Sequence, residues 1–226
     1  MKLQAIIDTL KYGELANIYT EEKLSQIVTF INLGLTNLYQ TFPILEKQVT
    51  IQQYPQIALY RLSKEFARTN HHSRERHRYI LDTPEDPFPD DVLYISGVFD
   101  EFGRPVPLND DNHPRSIFIT SFDTIQIPNA NEHDTTFIVY RAKPKYIDPN
   151  RINLEENIYL PEVLLEALTS FVGFKAHQAI GGAENIQLSQ AYQERYNQIC
   201  QGVLTDNVLG NNVSPTNIKP GIRGYV

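Results

Sequence analysis

Residues 160–182 read LPEVLLEALTSFVGFKAHQAIGG, and residues 183–203 continue AENIQLSQAYQERYNQICQGV. Pro161 suits a first helical position, where the missing N–H would have no partner within the helix, and Glu162 complements the positive end of the helix dipole. Leu164, Leu165, Leu168, Phe171, Val172, Ala176, Ala179 and Ile180 then cover more than half of the helix circumference. They leave a narrow polar stripe of Glu162, Glu166, Thr169 and His177. A helix this apolar must be covered on two sides. Gly181 and Gly182 supply left-handed residues that end it at little cost. A second helix follows with Leu188, Ala191, Tyr192, Tyr196, Ile199 and Val203 on one face, so the pair predicts an αα-hairpin whose surplus apolar surface needs partners.

The N-terminal end supplies one such partner. Leu3, Ile6, Ile7 and Leu10 have helical spacing, ended by Gly13. Thr20 reads as an N-cap with Glu21 and Glu22 in the first turn. Leu24, Ile27, Val28, Ile31, Leu35 and Leu38 follow at intervals of three and four in an amphipathic helix that closes before Pro43. Its other face, Ser25, Thr29, Asn32 and Thr36, is neutral and polar, equally suited to solvent or to another protein.

Between the two helical ends the period shifts from near 3.6 to 2. Val49–Ile51, Ile57–Tyr60, Val92–Phe99, Ser116–Ile127 and Thr136–Arg141 read as strands. Residues 92–108 have the order strand, glycine-containing turn, strand of a β-hairpin. Residues 82–90, with three prolines in nine positions, form an irregular loop that no central strand can accommodate. The sequence therefore predicts an α+β fold. Residues 1–43 and 158–204 form one helical bundle, 44–157 an inserted antiparallel β domain, and 205–226, rich in Asn, Gly and Pro, an extended arm without a core of its own.

Composition narrows the function. With 226 residues the chain needs no disulfide or metal to hold a core, and its single cysteine, Cys200, reads as a small buried hydrophobe. There is no apolar run of about 18 residues and no signal-peptide pattern, so the expectation is a soluble protein made in the cytoplasm with no membrane contact. With a net charge of −7 broad nucleic-acid affinity is not expected, yet the charge is unevenly spread. Arg61, Lys64, Arg68, Arg74, Arg76 and Arg78, against Glu65 and Glu75, give +4 over residues 61–78 and leave −11 for the rest.

The order of these pieces resembles the head-to-tail connector or adaptor proteins of tailed bacteriophages, of the tail tubular protein A type found in short-tailed phages. The resemblance is carried by the N-terminal helix pair ending near Tyr39, by residues 94–108 (YISGVFDEFGRPVPL), and by Val139–Pro144 (VYRAKP) followed by Ile158–Glu162 (IYLPE) and its helix. It spans residues 1–203, and the basic segment is not part of the pattern that carries it. It implies a virion structural protein, neither an enzyme nor a cofactor protein. Such a protein forms a ring, commonly of twelve copies, in the neck or tail, with the portal protein on one side, the tail nozzle protein on the other, and genomic DNA passing through its channel.

In that setting Leu164, Leu165, Leu168, Phe171 and Val172 become candidate subunit-interface residues. Asn211, Pro215, Ile218, Pro220, Ile222 and Tyr225 become candidate portal-contacting residues of the arm. Arg68, Arg74, Arg76 and Arg78 are candidates for DNA or partner contact. Acidic excess elsewhere would keep phosphate affinity low enough for DNA to slide.

Two alternatives compete. His71, His72 and His77 with Glu75 offer ligands for a small metal-dependent hydrolase, although Arg74, Arg76 and Arg78 crowd the same stretch with positive charge that disfavours a cation. The β region could equally be a ligand-binding module. His113, His133 and His177 read as surface residues, and the paired carboxylates (Glu21/Glu22, Asp90/Asp91, Asp110/Asp111, Glu155/Glu156) as turn or first-turn residues. No phosphate-binding glycine loop, nucleophile elbow or HExxH occurs.

Overall fold

The computed structural model describes residues 1–132 and 134–209 as a mixed α+β protein. Four helices, α1 (Leu3–Tyr12), α2 (Leu24–Thr41), α3 (Leu165–Ile180) and α4 (Ala183–Thr205), accompany two three-stranded antiparallel sheets. The described chain divides into a helical unit, residues 1–44 and 144–209, and a β unit, residues 45–132 and 134–143.

In the helical unit α3 packs against α1, α2 and α4. Helix α1 buries the four residues its spacing nominated, Leu3, Ile6, Ile7 and Leu10. Helix α2 follows a single 3-10 turn, Glu21–Lys23, whose cap residue Thr20 makes no side-chain capping bond. Its buried face keeps Ile27, Val28, Ile31, Leu35 and Leu38 and adds Asn32, Gly34 and Tyr39, while Leu24 is only partly buried. Asn32 is buried, because its amide donates to the carbonyl oxygen of Ile147 at 2.8 Å while its side-chain oxygen accepts the Ile147 N–H at 3.0 Å.

That reciprocal pair fixes the chain returning from the β unit. Residues 144–157, placed with the β region by the sequence, instead form a strap over the helices. The N–H groups of Leu3 and Gln4, unpaired within α1, donate to the carbonyls of Glu156 and Leu154 at 2.9 and 3.0 Å, and Ile158 donates to Met1 at 2.7 Å. The strap thus caps α1, whose N-cap residue Lys2 makes no side-chain cap bond. The Tyr39 hydroxyl, donating to the Tyr159 carbonyl at 2.6 Å, fastens its far end, and burial pushes that phenol up to about 12.

Helix α3 is preceded by a 3-10 turn, Glu162–Leu164, so Pro161 stands just outside the helical run. Gly181 and Gly182, at φ +74° and +82°, make the reversal into α4. The buried face of α4 is rotated from the predicted one. Ser189, Tyr196, Cys200 and Val203 are inside, whereas Leu188 is 41% exposed. Gly34 lets α2 close on α3, since a Cβ there would lie 2.7 Å from Leu168 Cδ1 and 3.0 Å from Phe171 Cδ1.

In the β unit, β1 (Glu46–Gln52), β6 (Thr135–Ala142) and β3 (Val92–Phe99) form one sheet, with β6 central and paired Thr50 to Phe137 and Val98 to Ile138. The second sheet runs β2 (Leu59–Arg61), β5 (Thr124–Gln126), β4 (Phe118–Ser121). Both face one core built on Ile51, Tyr60, Tyr79, Ile80, Ile125, Ile138 and Tyr140. The segment 116–127 folds back on itself because the Asp123 carboxylate collects its own turn, accepting from the hydroxyls of Ser121 and Thr124 at 2.7 and 2.9 Å and from Arg61 Nε at 2.9 Å. The predicted 92–108 hairpin survives only as a short ladder in which Asp100 donates to Arg104 and Val106 to Val98, because Pro105 and Pro107 lack donors.

The loop after Ile80 is anchored by Asp82, whose carboxylate accepts the N–H of Thr69 at 2.9 Å, the N–H of Phe88 at 3.0 Å, and the Thr69 hydroxyl. Burial opposes ionisation of Asp82, but the bonds from Thr69 and Phe88 outweigh it and hold the carboxyl below its ordinary range. Asp123 is lowered likewise, burial being outweighed by Ser121, Arg61 and Thr124.

Two outcomes follow from this packing. A carboxyl depressed by folding stabilises the protein above its unfolded value, about 3.9, and that stabilisation is lost as pH falls through the folded value. Urea midpoints measured across the acid range should therefore drop below about pH 4, and Asp82→Asn should flatten that drop. Gly34→Val should cost roughly 1–3 kcal/mol by overpacking the α2–α3 contact, read as a lower urea midpoint at unchanged slope.

Candidate functional site

The surfaces that α3 and α4 expose are set by what the fold has already consumed. Leu164, Leu168 and Val172 are fully buried and Phe171 is 8% exposed, within a single chain. Of the five residues nominated as a subunit interface only Leu165 is partly accessible, so this set is core. Two residues of the polar stripe, Thr169 and His177, are inside as well, whereas Glu162 and Glu166 stay exposed. Thr169 donates to the Glu14 carboxylate at 2.8 Å, and His177 places one ring nitrogen 2.9 Å from Asn185 Oδ1 and the other 3.3 Å from the Glu14 carbonyl oxygen.

The His177 ring also stacks on Tyr192, and Arg195 reaches Glu166 at 2.5 Å. Thr169 and His177 are covered by the 13–20 segment, which brings Glu14 across α3 at Gly173, where a Cβ would meet Glu14 Cβ at 3.1 Å. His177 is therefore a structural histidine, 5% exposed, and not the surface residue its stripe suggested.

The leftover surface lies on the other side of the hairpin. A groove of 410 Å³ lined by Asn37, Phe171, Phe174, Tyr196, Asn197 and Leu204 continues, through the shared Phe174 and Gln193, into a second of 400 Å³ that ends at Ile186 and Gly181. None of the residues lining either groove is charged. Lys175 sits over the Phe174 ring at 4.5 Å. Tyr196 donates to Asn37 Oδ1, and burial raises its phenol well above the ordinary value. Burial likewise raises the Cys200 thiol at the groove's edge, keeping it protonated. Ile186 is 50% exposed and Leu204 41%. Gln and Asn spaced three and four apart along α4 (Gln190, Gln193, Asn197, Gln201) were the available sequence signal for this face.

The β unit carries two further features. A recess of 580 Å³ is lined by Gln53, Asp100, Phe102, Arg115, Asn131 and Asp134 among others. The basic segment 61–78 is a loop held by its own hydrogen bonds. Arg68 donates to Ile80 at 3.0 Å, Ile80 to Phe66 at 2.9 Å, and the Ser73 hydroxyl to Glu65 at 2.6 Å. Within it His71 and His72 are exposed, and His77 leans on the Tyr54 ring with Gln56 3.4 Å away. Among the described residues no group of three or more His, Cys, Asp or Glu is placed to hold a metal ion, so His71, His72 and His77 are not gathered into a ligand set.

His133 and the arm residues Asn211, Pro215, Ile218, Pro220, Ile222 and Tyr225 lie outside the described residues. Among the described residues no helix is long and apolar enough to cross a membrane. Comparison with models of known protein families gives no match, and neither does comparison with characterised proteins.

Phe171 tests this division of α3 between core and surface. Phe171→Asp should destabilise the fold by roughly 3–5 kcal/mol, because it removes the ring packed against Phe174, Tyr196 and Gly34 and desolvates a carboxylate there, with only the half-buried Lys175, 5.7 Å from the ring centroid, as a cation nearby. Chemical denaturation of the purified variant measures it, and a loss within experimental scatter would mean this side of α3 is not core.

Proposed function

We propose that this chain is a structural protein of a tailed-phage virion, an oligomeric adaptor that closes into a ring between the capsid portal and the tail nozzle and surrounds the path of the genome. The observation that carries the reading is the outer groove of α3 and α4. It is long, uncharged, floored by Phe174 and Tyr196, and left over after the helical unit has completed its own core.

In a chain where 21% of residues are charged, a helix-length groove with an uncharged lining, bordered by Lys175 over the Phe174 ring, is fitted to another protein surface more than to solvent or phosphate. Ring closure needs such a face, since a head-to-tail contact that repeats with rotation generates a closed ring. The order of helices, inserted β unit and helices agrees with the connector pattern, as does the absence of any catalytic motif in the sequence. The uncharged 18-residue helix α2, whose Asn37 and Thr41 border the groove, extends the same kind of surface.

The test separates folding from assembly. Ile186→Glu with Leu204→Glu changes two residues about half exposed, so the melting temperature should stay close to the parent value, while co-sedimentation with the portal should fall from a stoichiometric ring to unassembled chain. Normal assembly by this variant would remove the groove from the interface. Deleting residues 211–226 should leave the melting temperature where it was and weaken portal attachment. A large fall in melting temperature would show that these residues belong to the core.

A further inference from the structure

The six cations of residues 61–78 are not equivalent. Arg61 is committed to Asp123 at 2.9 Å, and Arg78 donates from Nη1 to the carbonyls of Asn70 at 3.1 Å and Arg68 at 3.4 Å, so both hold the loop in shape. Lys64, Arg68, Arg74 and Arg76 are exposed, and among the described residues no carboxylate lies within ion-pairing distance of any of them. The nearby Glu65 and Glu75 are exposed too and form no ion pair there.

We propose that this loop is a preformed seat for the phosphate backbone of duplex DNA, gripped without regard to sequence by Lys64, Arg68, Arg74 and Arg76. The inference deepens the adaptor reading and rests on it for its biological setting, since DNA is what such a ring surrounds.

Three observations favour phosphate over a protein partner. The cations are mostly arginine, whose planar fork matches phosphate oxygens two at a time. The loop offers no apolar anchor, because Leu62 and Ala67 are buried and Phe66 lies stacked on Tyr79 with ring centroids 4.7 Å apart. Protein interfaces draw their energy from buried apolar and aromatic anchors, whereas backbone contacts to DNA need only positioned charge. The loop backbone is also fixed beforehand by Asp82 and by the bonds to Ile80, so little ordering is left for the moment of contact. With −11 on the remainder of the chain the contact is weak and local, and DNA can move past it.

The experiment uses the full chain and a short fluorescein-labelled duplex, followed by fluorescence anisotropy over a salt titration. The parent protein should bind at low salt with a slope of log K against log salt of roughly −3 to −4 if all four cations engage. Arg68→Glu with Arg74→Glu and Arg76→Glu should weaken binding about tenfold or more and flatten the slope. Lys23→Glu with Arg115→Glu and Arg151→Glu makes the same change in net charge elsewhere and should leave binding within a few-fold. Thermal melts of both variants confirm folding.

The inference is overturned if the parent shows no duplex binding at low salt, if both triple variants lose affinity equally, or if polyglutamate binds the loop in preference to duplex. The assay requires neither ring nor portal. Absent DNA binding therefore leaves the adaptor reading standing, and failed ring assembly leaves the DNA result standing.

Discussion

Helix α3 can be buried only if segments remote in sequence return to it from both ends. Its apolar surface meets α1, α2 and α4, and its polar stripe needs hydrogen-bonding partners of its own. His177 would leave buried ring nitrogens unpaired, at a cost of about 1–3 kcal/mol, if Glu14 and Asn185 did not reach it, whereas Thr169 keeps a second acceptor in the Glu166 carbonyl at 3.2 Å. The need is specific as well as large. Glu14 passes so close to Gly173 that a Cβ there would meet Glu14 Cβ at 3.1 Å, and α2 so close to α3 that a Cβ at Gly34 would lie 2.7 Å from Leu168 Cδ1. The strap 144–160 extends the same logic, filling the α1 terminus and the Asn32 amide with its own backbone groups.

What remains outside follows from that saturation. Once the apolar face of α3 and its buried Thr169 and His177 are covered internally, the outer groove is lined by residues that α4 and the end of α3 turn outward, among them Phe174, Ile186, Gln193, Asn197 and Leu204. The β unit has its own core and encloses the aromatic side chains of Tyr60, Tyr79 and Tyr140. Its loops are therefore free to carry charge, and the fixed loop that displays Arg68, Arg74 and Arg76 is one consequence.

Much of the fold was legible where one physical signal dominated. The α1 face, the α2 span, Val92–Phe99 as a strand and the Gly181-Gly182 reversal all follow from periodicity or backbone preference alone. The misreadings share a cause, which is that local pattern cannot report a distant partner. Sequence alone places Asn32 on a face open to solvent or another protein because Ile147 is 115 positions away, and makes His177 a surface residue because Glu14 is 163 away. Leu188 took the place of Ser189 on α4 because apolar identity was weighed above the register that Tyr192, Tyr196, Cys200 and Val203 impose. The fold-back at Asp123 carried no Gly, Asn or Pro to announce it. The interface residues suffered the same limit, for a helix apolar on two sides reads identically whether the second side is covered by its own chain or by a sibling.

The central claim is that the uncharged face of α3 and α4 is closed by neighbouring copies in a ring on the portal. A cryo-EM map of the chain assembled with its portal tests it most directly. The account predicts a closed ring in which Phe174, Ile186 and Leu204 are buried between adjacent copies. A chain that stays single beside the portal, or a ring whose copies touch elsewhere and leave that groove in solvent, would contradict it.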